Sequence, residues 1–334
     1  MDTDNALISI VAPVFNEETV IQTFYDQLCA VIDEIDSRFE IIFVDDGSRD
    51  SSPALLNRLK QQDARVAVIA LSRNFGKEIA LTAGLDHSHG DAVIVIDTDL
   101  QDPPQLITQL IAEWRNGYDV VYAQRVTRAG ESWFKKITAH HFYRLIQRLS
   151  HIRIPADTGD FRLLSRRAVE ALGRLRERHR FMKGLFAWIG YPQKAVQYDR
   201  LPRRAGQSKW NYWRLWNFAL EGITSFSTAP LRIATYFGLA VALLAFIYGA
   251  FIIYDTLVHG NPVPGYPSLM VVVLFLGGIQ LIGIGIIGEY LGRLYDEAKQ
   301  RPLYLVKSYQ PSADCSAKAA TTSSITDSHS PTSG

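Results

Sequence analysis

The sequence predicts an α/β fold class, with a doubly wound parallel sheet followed by a hairpin of two membrane-spanning helices. Three observations support this prediction. Short apolar runs alternate with segments of helical spacing between residue 8 and about residue 123, polar residues directly follow those runs, and two long uncharged stretches lie between residues 233 and 288.

The predicted strands are short runs rich in β-branched residues: ISIVAPV, EIIFVDD, VAVIALS, AVIVID and DVVYAQ. Runs this continuously apolar are typical of parallel strands that are buried on both faces. Ligands of a doubly wound sheet bind at the carboxyl ends of its strands. Residues 1–128 are therefore predicted to form the ligand-binding core.

The next region, residues 129–229, is rich in Trp, Tyr, Arg and Lys. It contains two segments of helical periodicity, WFKKITAHHFYRLIQRL and NYWRLWNFALEGITSF. Basic amphipathic helices with aromatic residues favour a membrane interface. Ordinary helices packed on the sheet remain the alternative for each segment.

Two stretches, residues 233–254 and 268–288, carry no charged side chain, and about 20 apolar residues suffice to span a bilayer. We predict helices at about residues 233–256 and 268–290, within a hairpin at residues 230–292. The connection between them lacks Lys and Arg, whereas basic residues flank the pair: Arg203, Arg204, Lys209, Arg214, Arg232, Arg293, Lys299 and Arg301. The positive-inside rule predicts an integral protein of the inner or plasma membrane with its sheet domain and both termini in the cytoplasm. Two buried core helices of a soluble protein are the weaker alternative.

Small residues in GGIQLIGIGIIG permit close helix packing, within the hairpin or between subunits of a homo-oligomer. Residues 293–309 are predicted to be a cytoplasmic segment, and the Ser-, Thr- and Ala-rich residues 310–334 a disordered tail.

Charge and cysteine content narrow the class of protein. The chain has 35 Lys and Arg against 34 Asp and Glu, so it has no large net positive charge that would attract nucleic acid. No basic region precedes the first apolar run, which argues against a secretory signal peptide. Cys29 and Cys315 lie far apart without metal-ligand spacing, and indicate free thiols in a reducing compartment.

The strongest chemical motif is IDTDLQDPP, which follows the fourth apolar run. Asp97 and Asp99 supply hard oxygen ligands for Mg²⁺ or Mn²⁺, and such an ion neutralises a diphosphate leaving group. Gln101 and Asp102 could complete the metal shell. A lone DxD is often only a capped turn, so the prediction depends on the loops that accompany it.

Three further polar loops follow the first three runs: residues 13–17 (PVFNE), 44–48 (VDDGS) and 71–76 (LSRNFG). A carboxylate in the second loop, Asp45 or Asp46, can accept hydrogen bonds from a nucleoside base or ribose. Each loop alone could simply cap a helix. Together the loops predict one cleft edge beside the DxD motif.

The combined PxxNE, VDDGS, DxDLQDPP, DTGDFRL and GQSKW motifs, spread over residues 7–307, resemble the inverting family-two glycosyltransferases of GT-A fold. The branch is that of dolichol-phosphate mannose synthase and the bacterial polyprenyl-phosphate glycosyltransferases. The resemblance implies a Rossmann-like GT-A catalytic domain with a nucleotide-sugar-binding core at residues 1–128. Residues 129–229 would then be the acceptor-side part of that domain.

The resemblance also implies residue roles. Pro13, Asn16, Glu17, Asp45 and Asp46 would hold the nucleoside, and Asp97, Asp99 and Gln101 the metal and diphosphate. Arg125 matches an arginine that grips the acceptor phosphate, and Lys135 or Lys136 falls near a second such cation.

Asp157 matches the position proposed as an acceptor-side base. A phosphate monoester with a second pKa of about 6 is mostly dianionic at neutral pH and scarcely needs a base. Asp157 could instead orient Arg162, a cation or the sugar. Arg203, Ser208 and Lys209 lie in a Gly-containing segment suited to closing over a diphosphate, or to attracting anionic lipid.

A GT-A domain followed by a two-helix hairpin most resembles the bactoprenol glucosyltransferases. The expected reaction is transfer of glucose from UDP-glucose to polyprenyl phosphate with inversion, at the cytoplasmic membrane face. The alternatives are a UDP-4-amino-4-deoxy-arabinose derivative or GDP-mannose as donor, a processive polysaccharide synthase, or a non-catalytic scaffold or flippase partner.

Overall fold

A computed structural model describes residues 6–125, 158–178, 180–198, 229–259 and 265–313. The chain divides into two units, which are described separately. The first contains the described residues up to 198 and those from 302 onward, and the second contains residues 229–301.

The first unit is built on one mixed sheet whose strand order is β7-β5-β6-β4-β1-β2-β3-β8. The strand bounds are β1 Leu7–Val14, β2 Arg38–Asp45, β3 Val66–Leu71, β4 Ala92–Val95, β5 Val120–Arg125, β6 Thr158–Ser165, β7 Gln193–Tyr198 and β8 Val306–Gln310. Its helices are α1 Ile21–Ile32, α2 Ser52–Gln62, α3 Lys77–Asp86, α4 Leu106–Arg115, α5 Arg166–Arg174 and α6 Met182–Trp188.

The predicted parallel core is confirmed for β4, β1, β2 and β3, which are neighbours in that order and all parallel. Their side chains are almost entirely buried, as the continuous apolar runs require. Helix α1 packs its apolar face on this sheet through Phe24, whose ring meets that of Phe43 edge to face. The shared direction brings four carboxyl ends to one edge.

The predicted fifth parallel strand does not lie beside the fourth. Strand β6, formed by the TGDFRLLS segment, pairs antiparallel with both β4 and β5 and separates them. The sheet is therefore mixed, with β7 parallel to β5 at one edge. Apolar periodicity identifies strands but carries no information on their neighbours, which is why the strand order was not predicted.

At the opposite edge, β8 pairs antiparallel with β3. Order continues beyond the predicted boundary at residue 310, because the Ser312 side chain is buried and the Ala313 N–H donates to the Ala64 carbonyl at 2.9 Å. Residues 314–334 lie outside the described part of the chain. The segment after the hairpin thus belongs to the sheet domain.

The second unit contains α7 Ala229–His259 and α8 Tyr266–Ala298, which pack against each other. Both contain stretches long and apolar enough to cross a membrane, Ala234–His259 with mean hydropathy 2.3 and Val271–Ala298 with 2.4. Large apolar side chains along both helices are exposed. This length and composition agree with the predicted spans and indicate membrane association.

Candidate active site

A cavity of about 310 Å³ opens at the carboxyl ends of β1, β2 and β4, next to the start of α3. Five residues predicted for the donor or metal site line it: Pro13, Glu17, Asp46, Asp97 and Asp99. The structure thus brings together residues that are up to 86 positions apart in the sequence, because their parallel strands end at one edge.

The loop after β1 is fastened to the loop after β2. The Asn16 N–H donates to Ser48 Oγ at 3.0 Å, and the Arg49 N–H donates to Asn16 Oδ1 at 2.9 Å. Asn16 has a φ of 55°, a conformation that asparagine tolerates better than most residues. The Asn16 side chain therefore shapes the loop, and Asn16 is absent from the described lining of the cavity.

The two acidic residues of VDDGS have different environments. Asp45 closes its own turn, because its Oδ1 accepts the Ser48 N–H at 3.0 Å. Asp46 lines the cavity, and its two oxygens accept the N–H groups of Phe75 and Gly76 at 2.7 and 2.9 Å. Burial raises the pKa of Asp46, and these two hydrogen bonds oppose the increase. Asp46 thus joins the second loop to the third.

Gly47 allows these loops to approach. Its φ is +69°, and a Cβ at this position would lie 2.6 Å from the backbone carbonyl carbon of Arg73. Any side chain larger than hydrogen would push the third loop away from Asp46.

The DxD segment combines oxygen ligands with one unsatisfied group. Asp97 and Asp99 line the cavity, and Asp99 Oδ1 accepts the Gln101 N–H at 3.1 Å. Gln101 is buried, and its Oε1 has no hydrogen-bond partner within the described residues. These oxygens fit a hard divalent cation. In the described residues no group of three or more His, Cys, Asp or Glu side chains could hold a metal, so other oxygen donors, such as Gln101, water or a diphosphate, would complete the shell.

Lys77, which the sequence reasoning missed, bridges the DxD segment and β6. Its Nζ lies 2.7 Å from Asp97 Oδ2 and 2.5 Å from Asp160 Oδ2. Burial would lower the pKa of Lys77, but the two carboxylates outweigh it and raise that pKa. The only local signal was the position of Lys77, directly after the LSRNFG loop.

Asp160 is held in its charged form. Burial would raise its pKa, but Lys77, Lys183 and Arg162 lower the pKa of Asp160 to about 2. Arg162 is itself buried, donates from Nη2 to the Gly159 carbonyl at 2.8 Å, and stacks 3.8 Å from the Phe186 ring centroid. This packing fixes β6 behind the site.

Arg125 lies in a second polar cluster, at the ends of β5 and β7. Arg125 and Tyr198 are register partners, and Arg125 Nε donates to Tyr198 Oη at 3.2 Å. Tyr198 in turn donates to Asp102 Oδ1, which lies 3.9 Å from Arg125 Nη2. Asp102 therefore serves Arg125 and Tyr198, although the sequence suggested it as a metal ligand. Tyr198 was not predicted.

The remaining predicted site residues lie outside the described part of the chain: Lys135, Lys136, Asp157, Arg203, Ser208 and Lys209.

Comparison with known proteins defines the class. Residues 9–173 match the family model "Glycosyl transferase family 2", and residues 229–294 match the model "GtrB C-terminal hairpin". The chain is 53% identical to a bactoprenol glucosyl transferase of Shigella phage SfV over 300 residues, 90% of this chain and 98% of that protein. The chain belongs to the family 2 glycosyltransferases that carry this C-terminal hairpin.

Two further similar proteins come from bacteria. An uncharacterized glycosyltransferase of Synechocystis is 54% identical over 90% of this chain and 94% of its own length. A prophage bactoprenol glucosyl transferase homolog of Escherichia coli K12 is 52% identical over 90% and 98%. Among solved structures, glucosyl-3-phosphoglycerate synthase from Mycobacterium tuberculosis in complex with Mn²⁺, UDP-glucose and phosphoglyceric acid has 20% identity and a TM-score of 0.45, covering 66% of this chain and 78% of that one.

Proposed function

We propose that this enzyme transfers glucose from UDP-glucose to a polyprenyl phosphate at the cytoplasmic face of a membrane, with inversion at the anomeric carbon. The observation that carries the proposal is the cavity in which Asp46, Asp97 and Asp99 converge. The similarity to bactoprenol glucosyl transferases, which extends over 90% of the chain, supports this acceptor and sugar.

On the donor side, the cavity of about 310 Å³ falls in the range of small-molecule sites, about 300–1,000 Å³. We assign its Pro13, Glu17 and Asp46 wall to the nucleoside. Each Asp46 oxygen already accepts one backbone N–H and retains a lone pair for a base or ribose donor. The position of Asp46 is therefore fixed before the donor arrives.

At the other wall, Asp97 and Asp99 line the cavity, and we assign Mg²⁺ or Mn²⁺ and the donor diphosphate to them and to the buried Gln101, which follows them in the chain and is absent from the described lining. A divalent ion bound there would neutralise the charge that develops on the leaving diphosphate. The unpartnered Gln101 Oε1 fits this assignment, because a buried polar atom without a hydrogen bond costs about 1–3 kcal/mol unless a ligand satisfies it.

On the acceptor side, we assign the lipid phosphate to Arg125. Its side chain is 26% exposed, and Tyr198 orients its Nε, which leaves the guanidinium fork for a phosphate. The phosphate oxygen attacks the anomeric carbon opposite the leaving diphosphate. Because this acceptor is mostly dianionic at neutral pH, Asp157 serves better to orient Arg162 or the sugar than to remove a proton. We also assign Lys135 or Lys136 to the acceptor phosphate. The segment that contains Arg203, Ser208 and Lys209 is assigned to the donor diphosphate.

Connectivity supports the membrane topology. Strand β8 follows the hairpin yet pairs with β3, which precedes it, in one sheet. This pairing supports a placement of the segments before and after the hairpin on one side of the membrane, and two spans satisfy this condition. The cytoplasmic side is inferred from the flanking Lys and Arg residues.

The proposal is tested with the full-length protein in nanodiscs, undecaprenyl phosphate and a panel of radiolabelled sugar nucleotides. UDP-glucose should give a labelled lipid, and NMR of the product should reveal an anomeric configuration opposite to that of the donor. A lipid labelled only from GDP-mannose or a UDP-4-amino-4-deoxy-arabinose derivative would overturn the donor. No labelled lipid from any donor would overturn the reaction.

A further inference from the structure

Lys77 links the proposed metal ligand Asp97 to Asp160 on strand β6. It is the first residue of α3, and its Nζ contacts Asp97 at 2.7 Å and Asp160 at 2.5 Å. Its side chain is nevertheless 44% exposed and lines the donor cavity. Lys77 therefore holds its two carboxylates from the open side of the site.

The cavity has an excess of negative charge. Within the described part of the chain, four lining residues carry carboxylates: Glu17, Asp46, Asp97 and Asp99. Lys77 is the one described lining residue with a cationic side chain. Crowding of these acids is visible at Glu17, whose pKa is raised by burial first and then by Asp99, Asp50 and Asp97. A donor diphosphate would add more negative charge, so a cation that moves to it would favour its binding.

We propose that Lys77 exchanges partners during donor binding: it neutralises Asp97 before the donor arrives and moves to the donor diphosphate when a divalent ion takes its place. This inference rests on the proposed function, because it assumes a nucleotide diphosphate as donor.

Both present partners of Lys77 can release it. Asp97 would gain the divalent ion in exchange. Asp160 would keep the nearby charges of Lys183 and Arg162. The exposed four-carbon stem of a lysine is flexible, and Gly76 precedes it with a φ of +98° and with no other atom within 4 Å of where a Cβ would lie. The cost of moving the amine is therefore small compared with that of leaving a buried charge unpaired.

A purely structural Lys77, which ties α3 to β4 and β6, has different consequences. Its loss would loosen the site and weaken metal and nucleotide binding together. Under partner exchange the two affinities should move in opposite directions, because Lys77 competes with the metal for Asp97 but assists the nucleotide.

The test uses the full chain in nanodiscs, with Lys77→Met, Lys77→Arg and, as a control lysine in α2, Lys60→Met. Mn²⁺ binding without nucleotide is followed by electron paramagnetic resonance, and UDP binding at saturating Mn²⁺ by calorimetry.

In Lys77→Met, Mn²⁺ should bind about threefold to tenfold more tightly, and UDP roughly tenfold more weakly. Lys77→Arg should keep Mn²⁺ affinity near the wild-type value and retain part of the UDP affinity, and Lys60→Met should match the wild type. Weaker Mn²⁺ binding or unchanged UDP binding in Lys77→Met would overturn the proposal.

A measurement on the wild-type protein covers the case in which Lys77→Met does not fold. Acetylation of Lys77, quantified by mass spectrometry relative to Lys60, should increase with Mn²⁺ alone and decrease below its starting level when UDP is added. Labelling that responds to neither addition would refute the exchange. None of these readouts uses the acceptor, so transfer of glucose without the opposite shifts would defeat this inference alone. A wild-type protein that binds no UDP would contradict both the partner exchange and the proposed function.

Discussion

Arg125 and Tyr198 end neighbouring parallel strands as register partners, and the Arg125 guanidinium donates to the Tyr198 hydroxyl at 3.2 Å. Tyr198 also donates to the buried Asp102. The Nε edge of the guanidinium is thus held by the protein. The free part of its fork is oriented before any anion binds, which favours a bidentate contact with phosphate.

Replacing Arg125 should therefore affect the acceptor. Arg125→Ala should raise the apparent KM for polyprenyl phosphate roughly tenfold or more, because a hydrogen bond to a charged group contributes about 1.5–3 kcal/mol. Arg125→Lys should recover only part, because an ammonium lacks the fork. Tyr198→Phe should raise that KM by a smaller factor, whereas Tyr118→Phe, near the start of β5, serves as the control. Lost UDP affinity with normal acceptor dependence would instead assign Arg125 to the donor.

Removing a proposed metal ligand should abolish transfer without unfolding the protein. Asp99 is exposed at the cavity, so Asp99→Ala should lower glucosyl transfer roughly 100-fold or more while leaving the melting temperature nearly unchanged. A chelator should stop the wild-type enzyme, and added Mn²⁺ should restore it. Asp36→Ala, in the exposed turn before β2, provides the control. Transfer near the wild-type rate in Asp99→Ala would refute the metal assignment.

Gly47 should matter more than its backbone conformation alone requires. Gly47 and Gly117 both have positive φ, +69° and +98°, but only at Gly47 would a Cβ meet other atoms within 4 Å. The positive φ alone should cost each Ala variant about 1–2 kcal/mol of folding free energy, and the clash with the Arg73 backbone should increase the cost of Gly47→Ala. Only Gly47→Ala should also weaken UDP binding, because the displaced third loop carries the N–H groups that hold Asp46. Equal UDP affinity in the two variants would mean that this loop contact does not shape the donor site.

The accuracy of the sequence predictions follows the range of the interactions involved. Asp46, Asp97 and Asp99 could be placed in one cleft because continuous apolar runs are local signals and parallel strands share an edge. Tyr198 could not be predicted, since its role depends on the pairing of β5 with a strand more than 60 residues further along the chain. Lys77 was missed for a similar reason: one of its partners, Asp160, lies on β6, whose insertion between β4 and β5 has no periodic signature.

A stabilising ion pair away from the cavity should give a pH-dependent stability. Asp63 Oδ2 accepts a hydrogen bond from Tyr25 Oη at 2.7 Å and forms an ion pair with Arg65 Nη2 at 2.9 Å. Burial would raise the pKa of Asp63, but Arg65 and Tyr25 lower it below its ordinary value. A lowered pKa in the folded state contributes stability that is present above the unfolded pKa, about 3.9, and is lost as the pH falls through the folded pKa.

Asp63→Asn should thus destabilise the protein by about 1 kcal/mol at pH 7, and the difference should shrink below about pH 4. Melting temperatures of wild type and variant across this range check the prediction. Asp26→Asn, on the exposed face of α1, is the control. A difference that persists unchanged at low pH would mean that lost packing, rather than charge, causes the destabilisation.

The last prediction concerns the membrane topology and uses two independent arguments. The Lys and Arg residues that flank α7 and α8, together with their absence from residues 255–267, favour a cytoplasmic location for both ends of the hairpin. The pairing of β8 with β3 requires an even number of crossings between them, whatever the charges are. A reporter fused after Gly334 should therefore score as cytoplasmic, and one inserted at residues 261–264 as extracytoplasmic.

Changing Arg293, Lys299 and Arg301 to Gln tests the arguments separately, because it weakens the charge signal while leaving β8 intact. If the sheet pairing governs the final topology, the C-terminal reporter should stay cytoplasmic in every molecule that transfers glucose. An extracytoplasmic C-terminus in active wild-type protein would contradict the two-span hairpin and the pairing of β8 alike.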